Sequence, residues 1–593
     1  MLKKFFLNCL SSFVGTWVAL VLFGIAAVLM IVGVAARLGD SENITGSVKK
    51  HSVLVIDLDG QISESLEPSG PDYVKLVQGD IEKPKALNQI VEGIKVAREN
   101  ENIEAIYLKC GALQASPATI NSIRDAIAGF KKSGKKVYAY GDGYTLGTYY
   151  IASIADKVML NPYGSVVIQG IGGTTLFMKG LFNKLGIEFQ VVKVGTFKSA
   201  VEPYISTHMS DPARAQLDTL FGATWDYINK GICNNRKALS PEKINHLVSS
   251  GVSFATAEDV KKYGLVDELI YERSVDDRIA KLISVDKDEL NYVTTETLIG
   301  QIPWIDSYGT KNNIAILYAT GEIIDEGKGG INYHDLVPVI TELAEDDNIK
   351  GMVLRVNSPG GSAFGSDQIG EALDYFKSKK KVLAVSMGDY AASGGYWISC
   401  GADRIFANPL TVTGSIGIFG LIPNAKGLAD KLGVNPVTVT TNPDAAFPSF
   451  TAPMTESQLA IMQKYVENGY DRFISRVSKG RKMPESKVRA IAEGRVWNAM
   501  KAKEIGLVDE LGQLQDAVGW VAKKCNIYSN YNISVYPVFK PGFWDLLPTI
   551  DVDASVEITG DKEVDDAAKE IAKKILTRQQ ILAIMPEFQF KFN

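Results

Sequence analysis

The chain has 593 residues, 46% of them hydrophobic and 22% charged, with a formal net charge of −5. That is ordinary globular composition with length for two cores, and the lack of a basic run argues against nucleic acid as a partner. Its five cysteines (Cys9, Cys110, Cys233, Cys400, Cys525) are scattered with no CxxC pair, which argues against a disulfide framework and a structural zinc site and reads as small buried apolar residues.

In chain order, the first predicted element is a membrane anchor. No charged residue occurs from Phe5 to Ala36, and the densest apolar part, residues 13–36, is 24 residues long. As a helix it spans about 36 Å, against about 30 Å of bilayer hydrocarbon. A cleavable signal peptide has a shorter apolar region, about 7–15 residues, so an uncleaved anchor is expected. Lys3 and Lys4 precede the run, and Arg37 is followed by Asp40 and Glu42. The positive-inside bias then leaves residues 1–12 in the cytoplasm and sends the body across the membrane. Leu38–Lys50 is polar and reads as a tether.

The body is written twice. YGDGYTLGTYYIASIADKVMLNP around Asp142 and MGDYAASGGYWISCGADRIFANP around Asp389 align without a gap at a constant offset of 247. VLVIDLDGQI (53–62) echoes IAILYATGEI (314–323), and KKYGLVDEL (261–269) echoes AKEIGLVDEL (502–511). The repeat defines a first domain at 50–295 and a second at 312–538, joined by Val293–Asn312. A tail, 541–593, follows; within it Lys562–Ile584 carries Ala567, Ile571 and Ile575 at helical spacing and predicts an amphipathic helix.

Within each copy, short β-branched runs alternate with helical patterns. In the second, strands are expected at Gly351–Val356, Lys381–Ser386 and Arg404–Ala407, and helices at Ser366–Ser378 and Ala391–Gly401. That alternation argues for an α/β fold of β-β-α or βαβ units.

The chemistry is kept unevenly. Ser393 lies amid glycines at a strand-to-helix transition, where a hydroxyl can stand beside unpaired helix N–H donors. The same residue also fits an N-cap with glycines for packing. Its counterpart in the first copy is Leu146. Ser358-Pro-Gly360-Gly361 forms a turn after a buried strand, and N–H groups of such a turn can stabilise an oxyanion. A serine nucleophile needs a base. The four histidines (His51, His208, His246, His334) lie in no glycine-rich motif or triad pattern. Lys198, in VGTFKSAVEP, has no charged neighbour from Val194 to Val201, and the corresponding loop of the second copy has no lysine. A lysine is usually a solvated surface charge; as a base it must be neutral, with its pKa lowered by desolvation from about 10.4 toward 7–8.

The anchor, the duplication, VNSPGG (356–361), YAASGGYW (390–397), ANPLTVTGSIGI (407–418) and GTFKSAVEPY (195–204) together resemble signal peptide peptidase A of the long, tandem-repeat type, over residues 50–540 and the anchor. The resemblance implies two tandem Clp protease/crotonase-like α/β domains behind one transmembrane helix. It implies a membrane-bound serine endopeptidase with a Ser/Lys dyad, on the extracytoplasmic side of a bacterial-type inner membrane. Ser393 would be the nucleophile and Lys198 the general base, with oxyanion donors from Gly360, Gly361 and Gly394, and Ser415 orienting the amine. The implied substrates are hydrophobic peptides, notably signal-peptide remnants, and the implied assembly is a homotetramer. No metal or other cofactor is implied, since neither a Walker motif nor HExxH occurs. The competing readings are a crotonase-like acyl-CoA enzyme, which would need neither Ser393 nor Lys198, and a non-catalytic membrane scaffold.

Overall fold

The computed structural model describes residues 48–65, 85–300, 312–537 apart from 328 and 529, and 581–585. The expected anchor and most of the C-terminal tail lie outside these residues. Among the described residues, no helix is long and apolar enough to cross a membrane.

The first copy is built on a parallel sheet. Its central strands are β1 (Ser52–Ser63), β2 (Ile103–Gln114), β3 (Lys136–Tyr144) and β4 (Lys157–Val166), adjacent in that order. Helix α1 (Pro117–Lys131) connects β2 to β3, and α2 (Leu146–Ala152) follows β3. Buried residues run almost without interruption along β2 and β3, as expected of strands covered on both faces. After β4 come β5 (Glu188–Val194) and the long helix α3 (Asp211–Asn235).

The second copy repeats this plan with β6 (Asn313–Thr320), β7 (Ile349–Ser358), β8 (Gly360–Ser362), α4 (Ala363–Ser378), β9 (Val382–Ala392), α5 (Gly394–Ser399) and β10 (Ile418–Asn424). Strands β6, β7 and β9 are parallel neighbours. Each copy has its own core, one centred on Ile106, Leu108 and Phe130, the other on Leu354, Val385 and Phe376.

Two elements depart from the sequence expectation. The helix expected over Ala391–Gly401 spans only Gly394–Ser399, because β9 continues to Ala392 and pairs there with Thr413 and Gly414. The end of the helix expected over Lys562–Ile584 is instead a strand, β11 (Ile581–Ile584), because neighbouring strands take its backbone on both sides; the rest of that helix lies outside the described residues.

The copies are not independent. A third sheet runs Ile331–Asn332, Ile323–Ile324, β8, β11, β10, β5. Strand β5 comes from the first copy yet pairs with β10 along its full length, from Ile418↔Val194 to Asn424↔Glu188. Its Val192 is buried in the second copy's core, which explains the recruitment. Helix α1 docks against β9: the Thr119 backbone N–H and hydroxyl both donate to the Asp389 carboxylate, at 2.9 and 3.0 Å. Asn408 donates to the Ala118 carbonyl at 3.1 Å, and Leu410 sinks into the first copy's core.

Candidate active site

Ser393 sits between β9 and α5 at φ +56°, ψ −114°, a backbone conformation that costs a non-glycine residue about 1–3 kcal/mol. The strand and helix hold it there. Its N–H donates to the Gly414 carbonyl and its own carbonyl accepts from Trp397 N–H, both at 2.8 Å. In the first copy the equivalent helix starts one residue earlier. Leu146 is its first residue, Thr145 caps it in an ordinary extended conformation, and the leucine is buried in the core. The strained elbow is present only where a serine occupies it.

Lys198 arrives from the loop after β5. Its Nζ is hydrogen-bonded to Ser393 Oγ at 2.8 Å, although 195 residues separate them in the chain. The amine also donates to the Ser415 carbonyl at 3.1 Å and to Ser415 Oγ at 3.0 Å. Lys198, Ser393 and Ser415 are all fully buried. No carboxylate pairs with Lys198 among the described residues, and burial alone pushes its amine well below the ordinary lysine value. A neutral amine has two N–H donors and one lone pair. With Ser415 taking the donors, the lone pair is left for the Ser393 hydroxyl.

None of the four histidines shares this geometry. His51 faces Glu104 at 3.3 Å, His208 faces Thr207, His246 lies on Pro241–Ser249, and His334 lies against the Tyr333 ring at a tilt of 33°.

The glycine turn lies alongside. Ser358 of β7 is in register with Ala391 of β9, two residues before Ser393. The Gly360 N–H is already engaged, donating to Ser358 Oγ at 3.2 Å. Gly361 lies so close to Ile323 that a Cβ would stand 2.0 Å from the Ile323 carbonyl oxygen, so only glycine fits. Gly394 opens α5 directly after Ser393.

The loop that seats Lys198 was not evident in the sequence. Glu493, Gly494 and Arg495 of the second copy wrap it. Phe197 N–H donates to the Glu493 carbonyl at 2.9 Å, and Thr196 donates to the Glu493 carboxylate at 3.0 Å through both N–H and hydroxyl. The Arg495 carbonyl accepts from Ser415 N–H at 2.7 Å, while its guanidinium lies over the Phe197 and Trp497 rings. Gln216 of α3 donates to the Phe197 carbonyl and accepts from Val496 N–H. The run Glu493-Gly494-Arg495 was the available signal, but a single glycine beside charges marks only a turn.

A second missed group braces the glycine turn from below. Arg355 of β7 forms a buried ion pair with Glu64, Nε to Oε1 2.6 Å, their side chains 5% and 3% exposed. Asn357 bridges from Glu64 to Asp389, at 3.4 and 3.3 Å. Desolvation, with the Glu64 charge second, pushes the Asp389 carboxyl up to about 6.

An open cavity of about 580 Å³ lies in the first copy, around Asp142 and lined by Asp57, Asp59 and Glu272. Its lining includes neither Lys198 nor Ser393.

A buried serine hydrogen-bonded to a desolvated amine, beside backbone donors, is suited to acyl transfer. Comparison with known proteins agrees. The model of peptidase family S49 matches residues 129–286 and 375–528, once in each copy. Protease 4 of Haemophilus influenzae is 34% identical over 511 residues, 83% of this chain and 82% of its own. Protease 4 of Salmonella typhi is 35% identical over 522 residues, 85% of this chain and 82% of its own. The chloroplastic serine protease SPPA of Arabidopsis thaliana is 28% identical over 503 residues, 83% of this chain and 72% of its own. With one family match in each copy and relatives aligned along most of both chains, this protein belongs to peptidase family S49 and is a serine peptidase.

Proposed function

We propose that the chain is a membrane-anchored endopeptidase that cuts hydrophobic peptides, signal-peptide remnants among them, with Ser393 as nucleophile and Lys198 as general base. The observation that carries this reading is the 2.8 Å hydrogen bond between a fully buried amine and a serine on a strained elbow. Neutral Lys198 takes the Ser393 proton as Oγ attacks the peptide carbonyl. The oxyanion is held by N–H groups of the glycine turn, Gly360 and Gly361, and of Gly394. The lysine ammonium then protonates the leaving amine. Water, deprotonated by the same lysine, releases the acyl group and restores the serine. Ser415 keeps the amine aimed throughout.

On this reading both domains have the Clp protease/crotonase-like fold, residues 13–36 anchor the chain, and the catalytic body faces the extracytoplasmic side of a bacterial-type inner membrane. The uncharged apolar run from Phe5 to Ala36 supports the anchor. The proposed homotetramer has a geometric rationale in the duplication. Ala118 and Leu410, buried where α1 docks on the second copy, are only 2% and 3% exposed. Their repeat counterparts, Phe364 (offset 246, as between Asn102 and Asn348) and Tyr163 (offset 247), are 59% and 99% exposed. Head-to-tail packing of copies would cover both by repeating the intramolecular contact. Tyr163→Glu should then reduce the particle mass measured by light scattering.

The function is tested by hydrolysis of a quenched hydrophobic peptide by detergent-solubilised protein, with Ser393→Ala beside the parent. A loss of about three orders of magnitude or more is expected. Equal rates would refute the assignment of Ser393, and acyl-CoA turnover that survives Ser393→Ala and Lys198→Ala would favour a crotonase-like enzyme.

A further inference from the structure

Strand β11 and Met585 sit beside the Lys198–Ser393 pair, pinned on both edges. On one side the strand is antiparallel to β8, with Gly360↔Ile584, Gly361↔Ala583 and Ser362↔Leu582. On the other it is antiparallel to β10, with Phe419↔Leu582 and Gly420↔Ile581. Met585 N–H donates to the Pro359 carbonyl at 2.8 Å, next to the glycine turn. With neighbouring strands about 4.8 Å apart, the gap between β8 and β10 is the width of one extended chain.

The side chains fit two apolar pockets. Leu582 and Ile584, two residues apart and so on one face, pack with Val201, Phe419 and Leu421. Val201 lies three residues beyond Lys198. Met585 packs with Leu220, Ala392 and Val496, where Ala392 immediately precedes Ser393 and Val496 follows the loop that seats Lys198. A segment of five residues thus touches the glycine turn, the serine elbow and the lysine loop together. Main-chain pairing along open strand edges, with pockets for chosen side chains, is how peptides are recognised by β-augmentation. The complete burial of Ser393 and Lys198 fits a groove that is already filled.

We propose that Ile581–Met585 is a resident of the substrate groove: it holds the place of an extended peptide, must leave before cleavage, and fills the pockets that select substrate side chains. The inference rests on the peptidase reading above. Its specificity residues are Phe419 and Leu421 for one pocket, and Leu220 and Val496 for the other. Substrates should carry apolar residues at positions matching Leu582, Ile584 and Met585. Because the competitor is part of the chain, its local concentration is high and does not fall on dilution. Added peptide sees only the fraction of molecules whose groove is open, and its apparent affinity falls in that proportion.

The test uses the full chain carrying Ser393→Ala, so that nothing is cut, with and without Leu582→Asp/Ile584→Asp. The probe is a fluorescein-labelled peptide of sequence Gln-Ile-Leu-Ala-Ile-Met-Pro, matching residues 580–586. Fluorescence anisotropy should show binding at least about tenfold tighter to the double-Asp chain, the ratio for a groove open about a tenth of the time. A second peptide with Asp at the Leu and Ile positions should bind neither chain. Equal affinity for both chains, or no binding to the double-Asp chain, would overturn the proposal. If that chain folds poorly by circular dichroism, Met585→Asp is read in the same assay with the same criteria. With Ser393 restored, kcat/KM for the quenched peptide should rise in the tail variant. Hydrolysis that ignores Ser393→Ala would sink the peptidase reading, while the anisotropy still decides what occupies the groove.

Discussion

Gly494 lies against Lys198 with no room for a side chain: a Cβ there would stand 2.7 Å from the lysine Cβ and 2.8 Å from its backbone nitrogen. Its φ of +73° adds a second reason for glycine. Gly494→Ala should therefore push the amine away from Ser393. A misplacement of about 1 Å can cost about 10²-fold in rate. We expect kcat to fall by about that factor while the chain remains folded. Steady-state kinetics with a melting curve check this, and an unchanged kcat would mean that the loop does not position the lysine.

The Lys198 amine sets a pH dependence whose sign follows from burial. Its pKa in the folded chain lies well below the ordinary value, so the active, neutral form grows as pH rises. The rate should climb along one limb set by that amine, and Lys198→Met should abolish it. Stability follows the same proton. Between the folded pKa and about 10.4 the unfolded chain binds more protons than the folded one, so stability rises with pH in that window. Lys198→Met lacks this contribution, and any stability advantage it holds over the parent must shrink as pH rises. Urea titrations at several pH values measure it; a constant difference would show that the amine is charged in the folded chain.

Asp389 acts in the opposite sense. Its folded pKa is raised from 3.8 to about 6, so between those values the folded chain holds the extra proton. Its contribution is full below about pH 4 and is lost as pH rises through 6. Relative to Asp389→Asn, the parent should lose at most about 3 kcal/mol across that window, less whatever water screens at this partly exposed carboxylate. A pH-independent difference between the two proteins would place the proton elsewhere.

The Glu64–Arg355 pair joins the end of β1 to the strand that leads into the glycine turn. Glu64→Ala leaves a buried guanidinium whose remaining partners are Ser386 Oγ and the Met387 carbonyl. Loss of one partner from a buried pair costs about 3–5 kcal/mol, whereas replacing both by apolar residues costs much less. A double-mutant cycle of Glu64→Ala and Arg355→Met should show strong coupling in stability. Additive effects would mean that the two charges are solvated independently.

Much of this architecture was written in the pattern of residues. The offset of 247 reported the duplication because repeated strands and helices need repeated apolar periodicity. Leu146 opposite Ser393 reported the asymmetry, because no apolar side chain can replace a hydroxyl in acyl transfer. Lys198 stood out because a lysine loop without other charges is unusual. Tertiary pairing was not legible. Nothing local tells that β5 leaves its own copy, since Val192 would suit either core. Nothing local makes Ile581–Ile584 a strand; two vacant edges on either side decide it. Nothing local tells that Glu64 and Arg355, 291 residues apart, meet in a buried pair.

The sharing of one site between two copies has a temporal consequence. Lys198 and strand β5 leave the ribosome long before Ser393 is made, and neither half holds both partners of the 2.8 Å hydrogen bond. With Ser393 and Lys198 in the proposed roles, a chain that lacks the second copy should be chemically silent. On that reading, dividing the pair between two copies makes completion of the chain itself the safeguard against premature proteolysis.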